Sequence, residues 1–109
     1  MLSMSELKQQ FSSAERSINL AAQACRSDAG APPALKEALA RLEQRQNQAH
    51  QLVEQGQDES RIVQCIDELE QLGDRARDAV RDAANIGAPL KNAVLDAHRA
   101  LSKLKRQLH

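Results

Sequence analysis

Two cysteines, three histidines and a run of carboxylates are the side chains of this 109-residue chain that could carry chemistry. A metal site on a helix needs His or Cys ligands at i, i+3 or i+4 spacing. His50, His98 and His109 have no such partner, and the Glu-x-x-His motif of the di-iron bundles is absent. The best metal constellation is His50 with Cys65, which fall at similar heights on adjacent helices of the fold derived below. His50, however, follows the core residue Ala49 by one position, about 100° around the helix. All three histidines are therefore expected at the surface, with a metal or redox sensor built on Cys25, Cys65 and His50 as the alternative. No Cys-x-x-Cys-His run exists for covalent haem. Nucleophile elbows, P-loops and Gly-x-Gly-x-x-Gly turns are also missing. The carboxylates Asp67, Glu68, Glu70, Asp74, Asp78 and Asp82 are interleaved with Arg75, Arg77 and Arg81. Asp74 precedes Arg77 by three residues, as Asp78 precedes Arg81, the pattern of a solvated helix face. No enzymatic activity, no cofactor and no metal are expected.

Charge offers a second lead. Fifteen basic and fifteen acidic side chains balance to zero, which argues against a dedicated nucleic-acid binder. The distribution is uneven, although residues 1–53 hold six basic and five acidic groups, net +1. Residues 54–88 hold four basic and nine acidic groups, net −5, and residues 89–109 hold five basic and one acidic, net +4. The C-terminal segment from His98 to His109 is basic and amphipathic. Arg99, Lys103, Lys105 and Arg106 could face an acidic partner helix, nucleic acid or an anionic membrane. No aromatic residue is interleaved to stack on bases or anchor in lipid. The simpler reading is that these cations complement the negative end of their own helix and pair with the acidic helix before it.

The elements that must position these groups are all helical. Ala, Leu, Gln, Arg and Glu dominate, Phe11 is the single aromatic, and no stretch alternates apolar with polar residues. Ser3-Met4-Ser5-Glu6 fits a capping box, with Ser3 accepting from the Glu6 amide and Glu6 reaching back. Leu2 and Leu7 occupy the positions of a hydrophobic staple. The first stripe is Leu7, Phe11, Ala14, Ile18, Ala21 and Cys25, ending before Gly30 and the helix-forbidding Pro32-Pro33. The second is Leu35, Ala38, Leu39, Leu42, Ala49, Leu52 and Val53, interrupted by Arg45 and Gln46. The simple account is that Gln46 hydrogen-bonds within the bundle or that the groove is open there; the sharper one is a polar device that fixes register or oligomeric state. The third is Ile62, Cys65, Leu69, Leu72, Ala76, Ala79, Ala83 and Ile86, keeping phase across Gly73, which implies close packing or a mild kink. The fourth is Leu90, Val94, Ala97, Leu101, Leu104 and Leu108.

These stripes predict a single domain, residues 1–109: an all-α, antiparallel, up-down-up-down four-helix bundle with helices near 4–28, 33–55, 58–86 and 89–107. In that topology Cys25 and Cys65 differ in height by roughly 20 Å. A disulfide needs Cα atoms within about 7 Å, so both thiols are expected free, with Cys25, nearer a helix end, the more reachable. No run of about 18 apolar residues could span a membrane. The first residues lack the charged and apolar regions of a signal peptide, so the cytoplasm is the expected compartment. In composition the whole chain resembles the small Ala/Arg/Gln-rich, uncharacterised helical proteins of high-GC proteobacteria. That likeness implies a bacterial helical protein and carries no functional residues. The function expected from patterning without site chemistry is protein–protein interaction or adaptor work, the partner being another protein or a second copy of the chain. Besides the C-terminal cations, Leu20 and Leu95 lie off their stripes and are candidates for its surface, especially if they cluster with Met4 or Leu2.

Overall fold

The computed structural model describes residues 3–56 and 58–109. Four helices follow in order, α1 (Met4–Arg26), α2 (Pro33–Gln55), α3 (Glu59–Asp82) and α4 (Ala88–Leu108). Each packs on its neighbours in the chain, and α4 closes the ring against α1. The cross-helix pairs show the directions. Glu15 meets His50, Asn19 meets Gln46 and Arg26 meets Glu43, so α2 descends as α1 rises. Likewise Asp67, Glu70 and Asp74 of α3 meet His109, Lys105 and His98 of α4. The result is a four-helix bundle measuring 42 × 20 × 18 Å, as the stripes predict.

Most residues of the predicted stripes are buried, while Leu52, Leu72, Ala79, Ala83, Ile86 and Leu108 are only partly so. Phe11, Ile18, Leu35, Leu42, Ile62, Ile66, Leu69, Leu90, Leu101 and Leu104 are the largest side chains with essentially no exposure. Each full burial of such a chain contributes about 1.5–3 kcal/mol. Alanines 14, 21, 49, 76 and 97 lie among them and keep the helices close. Gly73 does the same for α3 and α4. A Cβ placed there would stand 3.2 Å from Leu101 Cδ1. The helix runs on unbroken through Gly73, so close packing accounts for the glycine.

The helix ends show local chemistry that the sequence partly announces. Ser3 Oγ accepts from the Glu6 amide at 3.1 Å, as a capping box requires. Glu6 differs from expectation: its Oε1 accepts from the Ser3 hydroxyl at 2.9 Å, with no reach to the Ser3 amide. The staple through Leu2 lies outside the described residues. Asp58 caps α3 by accepting from the Arg61 amide at 3.1 Å. Gly56 closes α2 with φ of +63°, a left-handed conformation that favours glycine.

Two ends fall short of prediction. α1 stops at Arg26, with Ser27 as its cap, instead of continuing to residue 28. α3 stops at Asp82, four residues before the predicted 86, because Ala83 turns extended. Both early stops serve one contact. Asp28 Oδ1 accepts from the Gly30 amide at 2.8 Å, and its Oδ2 accepts from the Gly87 amide at 2.8 Å. One carboxylate thus ties the α1–α2 loop to the α3–α4 loop. The loops touch so closely that a Cβ on Gly30 would stand 2.0 Å from the Asn85 carbonyl oxygen. Ile86 reaches the core from this loop, not from a helix.

Candidate interaction surface

A helix that buries residues at i, i+3 and i+4 leaves the opposite third of its circumference in solvent. On α1 that outer third includes Gln9, Ser13, Arg16 and Leu20. On α4 it includes Asn92, Asp96, Arg99, Lys103 and Arg106. Between them runs a trough along the α1–α4 seam. Its upper part is lined by Leu20, Ala24, Pro89 and Ala93, with Asn92 and Asp96 at the rim. Its lower part is lined by Gln9, Gln10, Ser13, Arg16, Ala100 and Lys103. Ser17 lines both parts, which follow one another along the seam. Leu20 is 60% exposed and is the only large hydrophobic residue so exposed among those described.

The sequence candidates separate on this map. Lys103 lines the trough, and Arg106 is exposed one turn further along α4. Neither has an ion-pair partner among the described residues, nor does Arg16 on the facing wall. Arg99 holds Asp96 of its own helix at 3.3 Å. Lys105 instead turns to α3 and meets Glu70 at 3.8 Å, the pairing of basic and acidic helices that the charge asymmetry suggests. Leu95 is partly buried and lines neither part of the trough, which corrects its expected grouping with Leu20. Met4 is also elsewhere, packed under Gly56 at the opposite pole from the Asp28 contact.

The histidines are less free than expected. His50 Nδ1 lies 3.1 Å from Glu15 on α1. His109 Nε2 lies 2.8 Å from Asp67. His98 is largely buried, not a surface residue, with Nε2 2.7 Å from Asp74 Oδ1 and 3.2 Å from Arg77 Nη1. Since one ring nitrogen faces both groups, it either donates to Asp74 or accepts from Arg77. Arg77 also lies 3.7 Å from Asp74, as the i, i+3 spacing predicts, and 3.3 Å from Asp78.

His50 and Cys65 are not brought together. His50 faces α1, whereas Cys65 lines the α2–α3 groove with Leu52 and Gln48. Among the described residues no three His, Cys, Asp or Glu side chains gather closely enough to hold a metal ion. Both cysteines are free and buried, Cys25 at 5% exposure and Cys65 at 8%, so Cys25 is not the more reachable thiol. Cys25 sits in a groove beside Ala22, Leu39 and Ala40, with Arg26, Asp28, Lys36 and Glu43 also in its lining. Burial pushes its pKa up, partly offset by the Lys36 cation, while Asp28 raises it further and Arg26 lowers it.

Arg45 and Gln46 part company. Arg45 swings off the core face to pair with Glu68 on α3. Gln46 stays buried, donating from Nε2 to Asn19 Oδ1 at 3.4 Å, and its Oε1 has no partner. Sequence reasoning missed this Asn19 partner, the Asp28 contact and the trough. The Asp28-Ala29-Gly30 spacing, typical of an Asx turn, signals the local half of the Asp28 contact. The half reaching Gly87 crosses 59 residues and carries no local signal. No described helix is long and apolar enough to cross a membrane. The chain matches no family model, no curated protein and no solved structure.

Proposed function

We propose that this bundle is a non-enzymatic protein–protein interaction module, an adaptor, whose working surface is the outer face of α1 and α4. The exposure of Leu20 over an apolar trough carries this reading. Water disfavours a leucine held open beside Ala24, Ala93 and Pro89, and a partner side chain that covers it gains the burial. Interfaces concentrate their energy in a few such anchors set in shallow pockets. No other large hydrophobic among the described residues is so exposed, so a partner gains its apolar contact at this one point.

The test is affinity capture with the folded chain and with Leu20→Asp, together with sedimentation of the free chain. Leu20 is exposed, so the variant keeps its helical circular dichroism. The expected result is a stoichiometric partner, or self-association, seen with the native chain and lost with Leu20→Asp. A strict monomer that captures nothing, or equal capture by both forms, would overturn the reading.

A further inference from the structure

We propose that the α1–α4 trough receives an acidic amphipathic helix of a partner protein, with apolar residues against Leu20 and carboxylates between Arg16 and Lys103. This rests on the interaction reading and adds the chemistry of the partner. Three observations lead to it.

The first is shape. Taken together, the two parts of the trough follow α1 from Gln9 to Ala24, roughly 22 Å, the length of a helix of about four turns. Its floor is made of small side chains, Ser13, Ser17, Ala24, Ala93 and Ala100, so a third helix can approach to an ordinary interaxial distance of about 8–10 Å. A helix laid in a groove is a recurring way of recognising a peptide.

The second is charge. Arg16 projects from one wall and Lys103 from the other, and Arg106 follows Lys103 by three residues on the same helix. None of the three is ion-paired within the described residues. The single acid at the rim, Asp96, is already engaged by Arg99. On the neighbouring α3–α4 seam the side chains of His98, Lys105 and His109 all face carboxylates. The trough therefore presents cations without counter-ions, and an acidic ligand supplies them.

The third is the division of the trough along its length. Its apolar end holds Leu20, Ala24, Pro89 and Ala93, and its cationic end holds Arg16 and Lys103. A partner helix matches this by being apolar over one half and acidic over the other, which fixes its direction. A nucleic acid would find no aromatic side chain on either wall to stack against. A membrane would gain only one leucine. A second copy docking the same face would bring only one carboxylate, Asp96, already held by Arg99, to meet Arg16 and Lys103.

The decisive experiment selects binders to the full chain from a displayed library of helical peptides of about 16 residues, matched to the trough. The expected winners are enriched in Asp and Glu over one half and in Leu or Ile over the other. Arg16→Glu combined with Lys103→Glu weakens them by at least about tenfold. Lys36→Glu, on the α1–α2 seam, leaves affinity within about twofold. Replacing the acidic residues of a winning peptide by Lys restores binding to the doubly reversed chain. That rescue would not follow from a mere loss of folding. A library without winners, winners without acidic enrichment, or winners indifferent to the double reversal would overturn the proposal. So would binding of anionic vesicles or a single-stranded oligonucleotide, lost on the same reversal, where acidic peptides fail. If Leu20→Asp abolishes capture of a natural partner but no acidic consensus emerges, the adaptor reading stands and the acidic-helix chemistry falls.

Discussion

At Cys25 a thiol is held among alanine and leucine side chains, where a thiolate is poorly solvated. The consequence for stability has a definite sign. Because the folded pKa is raised, the unfolded chain releases this proton first as pH increases, and stability falls from the ordinary thiol range upward. Below about pH 8.5 the contribution is fully present, and above it is progressively lost. Urea midpoints measured from pH 7 to 10 should therefore decline more steeply for the native chain than for Cys25→Ala. Native thiol labelling at neutral pH should be slow. Equal slopes would show that the burial of this sulfur has no energetic consequence. The position of Cys25 on the core side of the first helix was legible from spacing alone, since it continues the run through Ile18 and Ala21. Its groove was not, because a groove depends on which side chains of α2 stand opposite.

Between elements, Gly73 decides how near α3 and α4 can come. Ala in its place gains about 1 kcal/mol of helix propensity. It also sets a methyl 3.2 Å from Leu101 Cδ1, the end of a side chain that can yield a few tenths of an ångström. The two effects are similar in size, so Gly73→Ala should change stability by less than about 1 kcal/mol. Gly73→Leu has no such room and should cost about 3 kcal/mol or more, read as a lower thermal midpoint. A well-tolerated leucine would mean that the two helices are not packed through this glycine. The sequence showed that the stripe keeps phase across Gly73, and phase is what helical continuity requires. It did not show where α3 stops. Ala83, Ala84 and Ile86 are helix-compatible by type and spacing. Ala83 is extended, and the loop beyond it meets Asp28 across 59 residues, a contact that local spacing does not announce.

For the molecule as a whole, the bundle was readable because four stripes of apolar residues admit one economical burial, and the short connections force neighbours to run antiparallel. The surface was less readable. Leu20 could be placed outside its stripe, but Leu95 by the same logic was wrongly grouped with it. Pairing across seams, as for Lys105 with Glu70 and His98 with Asp74, depends on register between helices that the sequence leaves open. The same dependence on assembly marks Asp28. Asp28→Ala removes one acceptor from two backbone amides and should cost about 2 kcal/mol, lowering the urea midpoint without changing the slope. Asp28→Asn, which keeps a single acceptor oxygen, should retain about half of that. An unchanged midpoint in Asp28→Ala would remove this carboxylate from the account of stability.

That carboxylate also makes the two poles of the bundle unequal. At one pole both turns are cross-linked through a single side chain. At the other, the described contacts are separate ones: Met4 lies against Gly56, and His109 meets Asp67. Opening should therefore be one-sided, a wedge narrowing toward the tied turns, and hydrogen exchange should show amides near Leu7 and Leu104 exchanging before those near Cys25 and Leu90.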